Sequence, residues 1–177
     1  MPSAHVFIAT SLDGYIARQN DDLDWLTGFS SPGEDHGYDA HIANIDGIIM
    51  GRGTYEKVLA FDEWYYSKPV LVLSQTLDPA SVPAHLKDKV EISAATPEAA
   101  MAIATERGWR RVYADGGKLI QSFLRAGLIE EMIISRLPIL LGDGIPLFGP
   151  LENDVTLDHI ETKAFPSGLV QSHYRIA

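Results

Sequence analysis

Three stretches of the chain place small and polar residues where an apolar run gives way to a helix-like pattern. They are Met50-Gly51-Arg52-Gly53-Thr54, Val72-Leu73-Ser74-Gln75-Thr76 and Ala114-Asp115-Gly116-Gly117-Lys118. The first N–H groups of a helix lack intrahelical partners and sit at the positive end of its dipole, so such junctions suit phosphate. Glycine lets a ligand approach the backbone, and ligands gather at the carboxyl ends of strands in open α/β sheets. Arg52 adds a planar fork of donors that matches phosphate oxygens. The dipole disfavours a cation at a helix start unless an anion is near, so Arg52 itself points to one. Together the three ends indicate a nucleotide site. No GxGxxG follows the first strand and no GxxxxGK[ST] occurs, which argues against a regular Rossmann domain and a P-loop NTPase.

Other chemistry-bearing residues are weaker candidates. His36 and His41 are five residues apart, off a common helical face, and do not make a metal pair. His5, His85, His159 and His173 read as surface or strand residues. Asp21-Asp22-Leu23-Asp24 lacks calcium-loop spacing and reads as a solvated acidic loop. Trp25 and Tyr38 can wall a flat heterocycle or serve as packing anchors. Gly142-Asp143-Gly144 is either a loop near a ligand or a turn between strands.

The elements that would hold these residues follow from apolar patterning. Strands are expected over 5–10, 47–50, 69–74, 90–94 and 111–114, with apolar runs over 132–137 and 139–141. A helix is expected over 34–45 with Tyr38, Ile42 and Ile45 on one face, and another after Thr54 with Tyr55, Val58 and Leu59. Thr96-Pro97-Glu98 starts a helix that Gly108 stops. Gly116-Gly117-Lys118 opens one with Leu119, Ile120, Phe123 and Leu124 inward, closed by Gly127. The tail alternates through Val155, Leu157 and His159, then Val170, Ser172, Tyr174 and Ile176, as antiparallel strands do. The sum is an α/β fold with a mixed sheet, and 177 residues suit one domain spanning 1–177.

Composition limits the partners. With 46% apolar and 21% charged residues the chain can build an ordinary core without staples. Its 24 acidic against 14 basic residues give a formal net charge of -10, which disfavours nucleic acid and anionic membrane surfaces. It has no cysteine, and so no thiol nucleophile, iron–sulfur cluster or cysteine-bound zinc. With no secretory signal and no membrane-length apolar run evident, the expected location is the cytoplasm.

The run Ile48-Ile49-Met50-Gly51-Arg52-Gly53-Thr54-Tyr55-Glu56 resembles the phosphate-binding segment of dihydrofolate reductases. FIATSLDGYIA over 7–17, DGGKLIQSFL over 115–124 and LIEEMIISRLPILLGDGIPLF over 128–148 resemble the reductase domain of bacterial riboflavin-biosynthesis deaminase-reductases. The two families share a fold, and the resemblance covers nearly the whole chain in the right order. It implies a stand-alone dihydrofolate reductase-like α/β domain: a mixed, mostly parallel central sheet flanked by helices, with antiparallel C-terminal strands. It further implies NADPH. Ala9 would lie against the nicotinamide half, Arg52 and Ser74 would meet the adenosine phosphate, and Gly53 with Thr54 the pyrophosphate. Gly117, Lys118 and Leu119 would supply helix-start N–H groups, and Gly51 and Gly116 belong to the same two turns. Gln75 stands where the family often has a basic residue, so NADPH and NADH both stay open.

On the substrate side, the dihydrofolate reductase acid falls on Asp35, which would hydrogen-bond the heterocycle and help protonate it, and which equally suits a plain helix start. Asp39 replaces that family's substrate-flanking aromatic, which points away from folate. The riboflavin family's acid before its Gly-Gly matches Asp115, which also suits an ordinary turn. That family's arginine three residues after a histidine is missing: His41 is followed by Asn44, so the substrate need carry no phosphate. The resemblance therefore implies a reductase acting on a pyrimidine, pteridine or related small molecule, working as a homodimer. A nucleotide-binding protein of the same fold without turnover is the alternative.

Overall fold

The computed structural model describes residues 1–29 and 31–177. Its elements run β1 (Ser3–Ser11), β2 (Tyr15–Ala17), α1 (Asp24–Thr27), α2 (Tyr38–Ala43), β3 (Gly47–Gly51), α3 (Arg52–Leu59), β4 (Val70–Leu73), β5 (Val90–Ser93), α4 (Pro97–Glu106), β6 (Arg111–Asp115), α5 (Gly117–Arg125), β7 (Ile129–Leu137), β8 (Ile145–Pro146), β9 (Leu157–Ala164) and β10 (Val170–Ile176). Eight strands form one sheet in the order β5-β4-β3-β6-β1-β7-β10-β9. The first six in that order are mutually parallel, and β10 and β9 close the far edge antiparallel. The expected mixed sheet with antiparallel C-terminal strands is present.

Side chains on a strand alternate between faces, and the core divides accordingly. Ile49, Leu71, Val112 and Ala114 pack on one face with Ala100, Met101 and Ala104 of α4 and Ile120 and Phe123 of α5. Ile48, Met50, Val70, Val72 and Tyr113 pack on the other with Tyr55 and Val58 of α3 and, at its margin, Tyr38 and Ile42 of α2. The face assignment places Asp115 two residues beyond Tyr113, on the α2–α3 side of the sheet. The capped start of α4 is as expected: the Thr96 hydroxyl accepts from Ala99 N at 3.3 Å, and Pro97 fills the first turn.

The expected helix over 34–45 is shorter. Gly33 and Gly37 adopt positive φ (86° and 85°), a conformation that breaks a helix, so α2 begins only at Tyr38. The run over 139–141 is not a strand. Leu12 N donates to the Ile139 carbonyl, and Leu141 N and Gly142 N donate to the Asp13 carboxylate at 3.1 and 2.8 Å. Thus Gly142-Asp143-Gly144 is a turn tied to the end of β1, and the short β2–β8 pair forms beside it. Neither of these two strands was expected, since two or three residues carry no readable periodicity.

Gly47 starts β3 directly under an aromatic ring. A Cβ there would lie 2.5 Å from three ring carbons of Trp109, which is buried behind it. Gly47→Ala overpacks this contact and is expected to lower stability by about 1–3 kcal/mol. Urea denaturation checks this: an unchanged midpoint would show that the ring yields freely.

Candidate functional site

The carboxyl ends of β1, β3 and β6 open into a cleft of about 670 Å³, a size suited to a small-molecule ligand. Two helices begin on its wall. The N-cap residues are Gly51 for α3 and Gly116 for α5, and neither helix start has a side-chain cap. Their first N–H groups are therefore left for solvent or a ligand. The turns touch: a Cβ on Gly116 (φ 104°) would stand 2.6 Å from Thr54 Oγ1. Gly117 is as tightly placed, with Ile16 Cδ1 2.7 Å and the Pro146 carbonyl 3.2 Å from a hypothetical Cβ. Gly53 differs, for nothing lies within 4 Å of its hypothetical Cβ and its φ is ordinary. The fold does not require a glycine at 53, and its bare backbone faces the cleft it lines.

Ten of the expected site residues split cleanly from the rest. Ala9, Gly51, Arg52, Gly53, Thr54, Asp115, Gly116, Gly117, Lys118 and Leu119 all line this one cleft. Arg52 is half exposed at the mouth, held by Nε to Glu56 and by Nη1 to Thr76 Oγ1, both at 2.8 Å. Ser74 and Gln75 are not in the lining. Ser74 Oγ accepts from Thr76 N and Leu77 N at 3.2 and 3.1 Å, while Gln75 Nε2 donates to the Ala94 carbonyl at 2.6 Å. They sit beside Arg52 through Thr76. Asp35 is also outside the lining: it is exposed, and its Oδ1 accepts from Gly37 N at 2.8 Å in the turn before α2. Asp39 is exposed and Asn44 Nδ2 bonds back to the Ala40 carbonyl.

Asp115 lines the cleft at the end of β6, directly before the α5 N-cap Gly116. Tyr66 Oη donates to its Oδ2 at 3.0 Å, and Tyr65 Oη donates to Tyr66 Oη at 3.0 Å. Burial raises the Asp115 carboxyl above the ordinary aspartate range, with the Tyr66 hydroxyl and Gly116 N opposing the rise. Asp13, by contrast, is held below that range, chiefly by the Ser11 hydroxyl. Phe7, Phe61, Tyr65 and Tyr66 give the cleft an aromatic side. Apart from Phe7, which lies in the 7–17 segment, sequence reasoning does not single these residues out. The run Phe61-Asp62-Glu63-Trp64-Tyr65-Tyr66 has no helix or strand period, and its density of aromatics was the one signal present.

Trp25 is buried against Leu137 and Leu169, and Tyr38 packs edge-on to Phe7; neither is in the lining. Asp21 and Leu23 of the acidic loop do reach it, Asp21 with a positive φ of 64°. Among the described residues no group of histidines and carboxylates converges to hold a metal, and no helix is long and apolar enough to cross a membrane.

A mostly parallel sheet with antiparallel C-terminal strands, and a cleft walled by two glycine-opened helices, define a protein of the dihydrofolate reductase-like fold. The chain belongs to the RibD C-terminal domain family, whose model matches residues 2–171. It is 36% identical over 172 residues to the uncharacterized protein YwjB of Bacillus subtilis, covering 96% of this chain and 95% of the relative. The crystal structure of a provisionally named riboflavin biosynthesis protein from Shewanella sp. PV-4 superposes with a TM-score of 0.92 at 44% identity, over 99% of both chains. The bifunctional diaminohydroxyphosphoribosylaminopyrimidine deaminase/5-amino-6-(5-phosphoribosylamino)uracil reductase of Thermotoga maritima matches with a TM-score of 0.73 at 16% identity. That alignment takes in 99% of this chain and 57% of the bifunctional one, and shows the shared fold.

His41 backs the cleft without lining it. Its ring packs on Phe7 at 5.0 Å and edge-on to Tyr113 at 5.1 Å, and burial pulls its pKa down from 6.5 to about 4. In that window the unfolded chain binds a proton that the folded chain refuses, so stability is full above about pH 6.5 and falls toward pH 4. His41→Phe should reduce this acid sensitivity. Urea midpoints at neutral and mildly acidic pH check it, and an identical loss in both proteins would contradict the assignment to His41.

Proposed function

We propose that this protein is an NADPH-dependent reductase that delivers hydride to an imine-like carbon of a pyrimidine, pteridine or related heterocycle. The observation that carries the reading is one cleft lined both by two uncapped helix starts bearing Arg52 and Lys118 and by a carboxyl, Asp115 at the entry to α5, that burial raises and that sits against tyrosine rings. Membership of the RibD C-terminal domain family, and the reductase in the Thermotoga protein's name, support the same reading.

The residues present fit the cofactor, since Gly53 leaves bare backbone and Arg52 a phosphate-matching fork on the same helix start. Gly51, Gly53 and Thr54 on one turn and Gly116, Gly117, Lys118 and Leu119 on the other would hold the pyrophosphate. Arg52, with Ser74 and Gln75 next to it, would receive the adenosine end, and Ala9, which lines the same cleft, would border the nicotinamide. When bound, the dihydronicotinamide supplies the hydride. The chain's own work is alignment, exclusion of water and a proton. Asp115 supplies that proton, because a carboxyl pushed above its ordinary range is protonated closer to neutral pH. Asn44 in place of the arginine clamp favours a substrate without a ribose phosphate. Two copies pair through their sheets, a reading supported by β9, an edge strand exposed along its whole length that carries Leu157 and Ile160.

Arg52→Ala should weaken NADPH at least about tenfold, the loss of one charge-assisted contact, while Lys87→Ala leaves it unchanged. Gly53→Ala should keep the melting temperature or raise it, yet also weaken NADPH, because the new methyl occupies ligand space alone. Calorimetric titration of each variant checks both; wild-type affinity in Arg52→Ala and Gly53→Ala would place the nucleotide elsewhere.

A further inference from the structure

Asp115 lines the cleft half-buried, and once ligands fill that space an acid that gives up its proton must recover it. The hydrogen bonds around Asp115 lead out of the protein. Tyr66 is 4% exposed and donates to the carboxylate, while Tyr65 donates to Tyr66 and is itself 53% exposed. The two phenol rings lie 4.3 Å apart, Trp64 packs behind Tyr66 at 5.4 Å, and all three hydroxyl- and carboxyl-bearing residues face the cleft. We propose that Tyr65 and Tyr66 form a proton relay that recharges Asp115 from solvent, an inference that rests on the reductase reading above.

The transfer balances within the chain. Asp115 loses its proton to the substrate nitrogen that accepts the electron pair of the reduced C=N bond. The Tyr66 O–H breaks as the Asp115 O–H re-forms, the Tyr65 proton moves to the Tyr66 oxygen, and water supplies Tyr65. One proton enters from bulk, and neither tyrosine is left ionised. This concerted form is required, because burial raises the hydroxyl pKa of both tyrosines and most of all that of Tyr66. The other ionisable groups near the carboxyl offer no second exit. Tyr113 also meets the Asp115 carboxyl but is buried, its hydroxyl donating to the Phe7 carbonyl at 2.9 Å, and Tyr38 is half-buried behind Phe7. Tyr66 is thus a positioning and relay residue, and Tyr65 the point of entry.

The test pairs Tyr65→Phe and Tyr66→Phe, which keep the rings and delete only the hydroxyls. In the ligand-free protein, NMR should show the Tyr66 hydroxyl proton exchanging with water about tenfold more slowly in Tyr65→Phe than in wild type. The Asp115 carboxyl should titrate higher in Tyr66→Phe, which removes a donor to the carboxylate. With NADPH and a heterocyclic substrate, Tyr65→Phe should lower kcat with KM little changed and raise the solvent isotope effect. Unchanged hydroxyl exchange in Tyr65→Phe, or an unchanged isotope effect, overturns the relay. Slowed exchange in Tyr65→Phe, beside a wild-type protein that never oxidises NADPH, supports the relay and counts against the reductase reading alone.

Discussion

Gly116 and Thr54 lie so close that no side chain fits between them, and the shape of the cleft follows from that contact. A left-handed backbone at Gly116 turns the chain from β6 into α5 and sets the start of α5 against the start of α3. Two helix dipoles then point their positive ends at one space. Gly117 repeats the constraint one residue on, where Ile16 and the Pro146 carbonyl press against it and bring the β2–β8 pair onto the cleft. That pair is held in turn by Asp13, whose carboxylate accepts from Ser11, Leu141 and Gly142. Removing the side chain at 116 and 117 lets three chain segments converge on a single ligand-sized space.

Carboxyl groups in this one protein behave in opposite ways for reasons visible in their surroundings. Asp13 and Glu34 accept from hydroxyls and backbone amides, which favour the charged form and hold them low. Glu34 ties the turn before α2 to Ser167. Asp115 also has donors, Tyr66 foremost with Gly116 N and Tyr113, but its desolvated position outweighs them and burial wins. The acid with the raised pKa is one of those that line the cleft, the pattern expected of a group kept for proton transfer. The cleft is less acidic than the net charge of -10 implies, because Arg52, Lys57 and Lys118 line it beside Asp21, Glu56 and Asp115.

Much of this arrangement was legible in the sequence, because glycine-rich turns after buried strands are local signals. Both Met50-Gly51-Arg52-Gly53-Thr54 and Ala114-Asp115-Gly116-Gly117-Lys118 announce a strand end and a helix start. Their convergence depends on β6 inserting between β3 and β1, which no short pattern encodes but which the family resemblance supplied. The β4 end reads the same way locally, yet Ser74 and Gln75 spend their polar groups on their own turn and on Ala94. The resemblance puts Asp35 on a helix start, but the positive φ of Gly37 starts that helix later. Tyr65 and Tyr66 were hidden in a connection without period, and only the three-dimensional path toward Asp115 gives them a role.

The central claim is that the space between the two helix starts is a dinucleotide site. Titrating the full chain with NADPH while following nicotinamide fluorescence tests it most directly. The account predicts one saturable site per chain, with the emission change abolished by bulk at Gly53. Absence of any saturable change up to millimolar NADPH would contradict it.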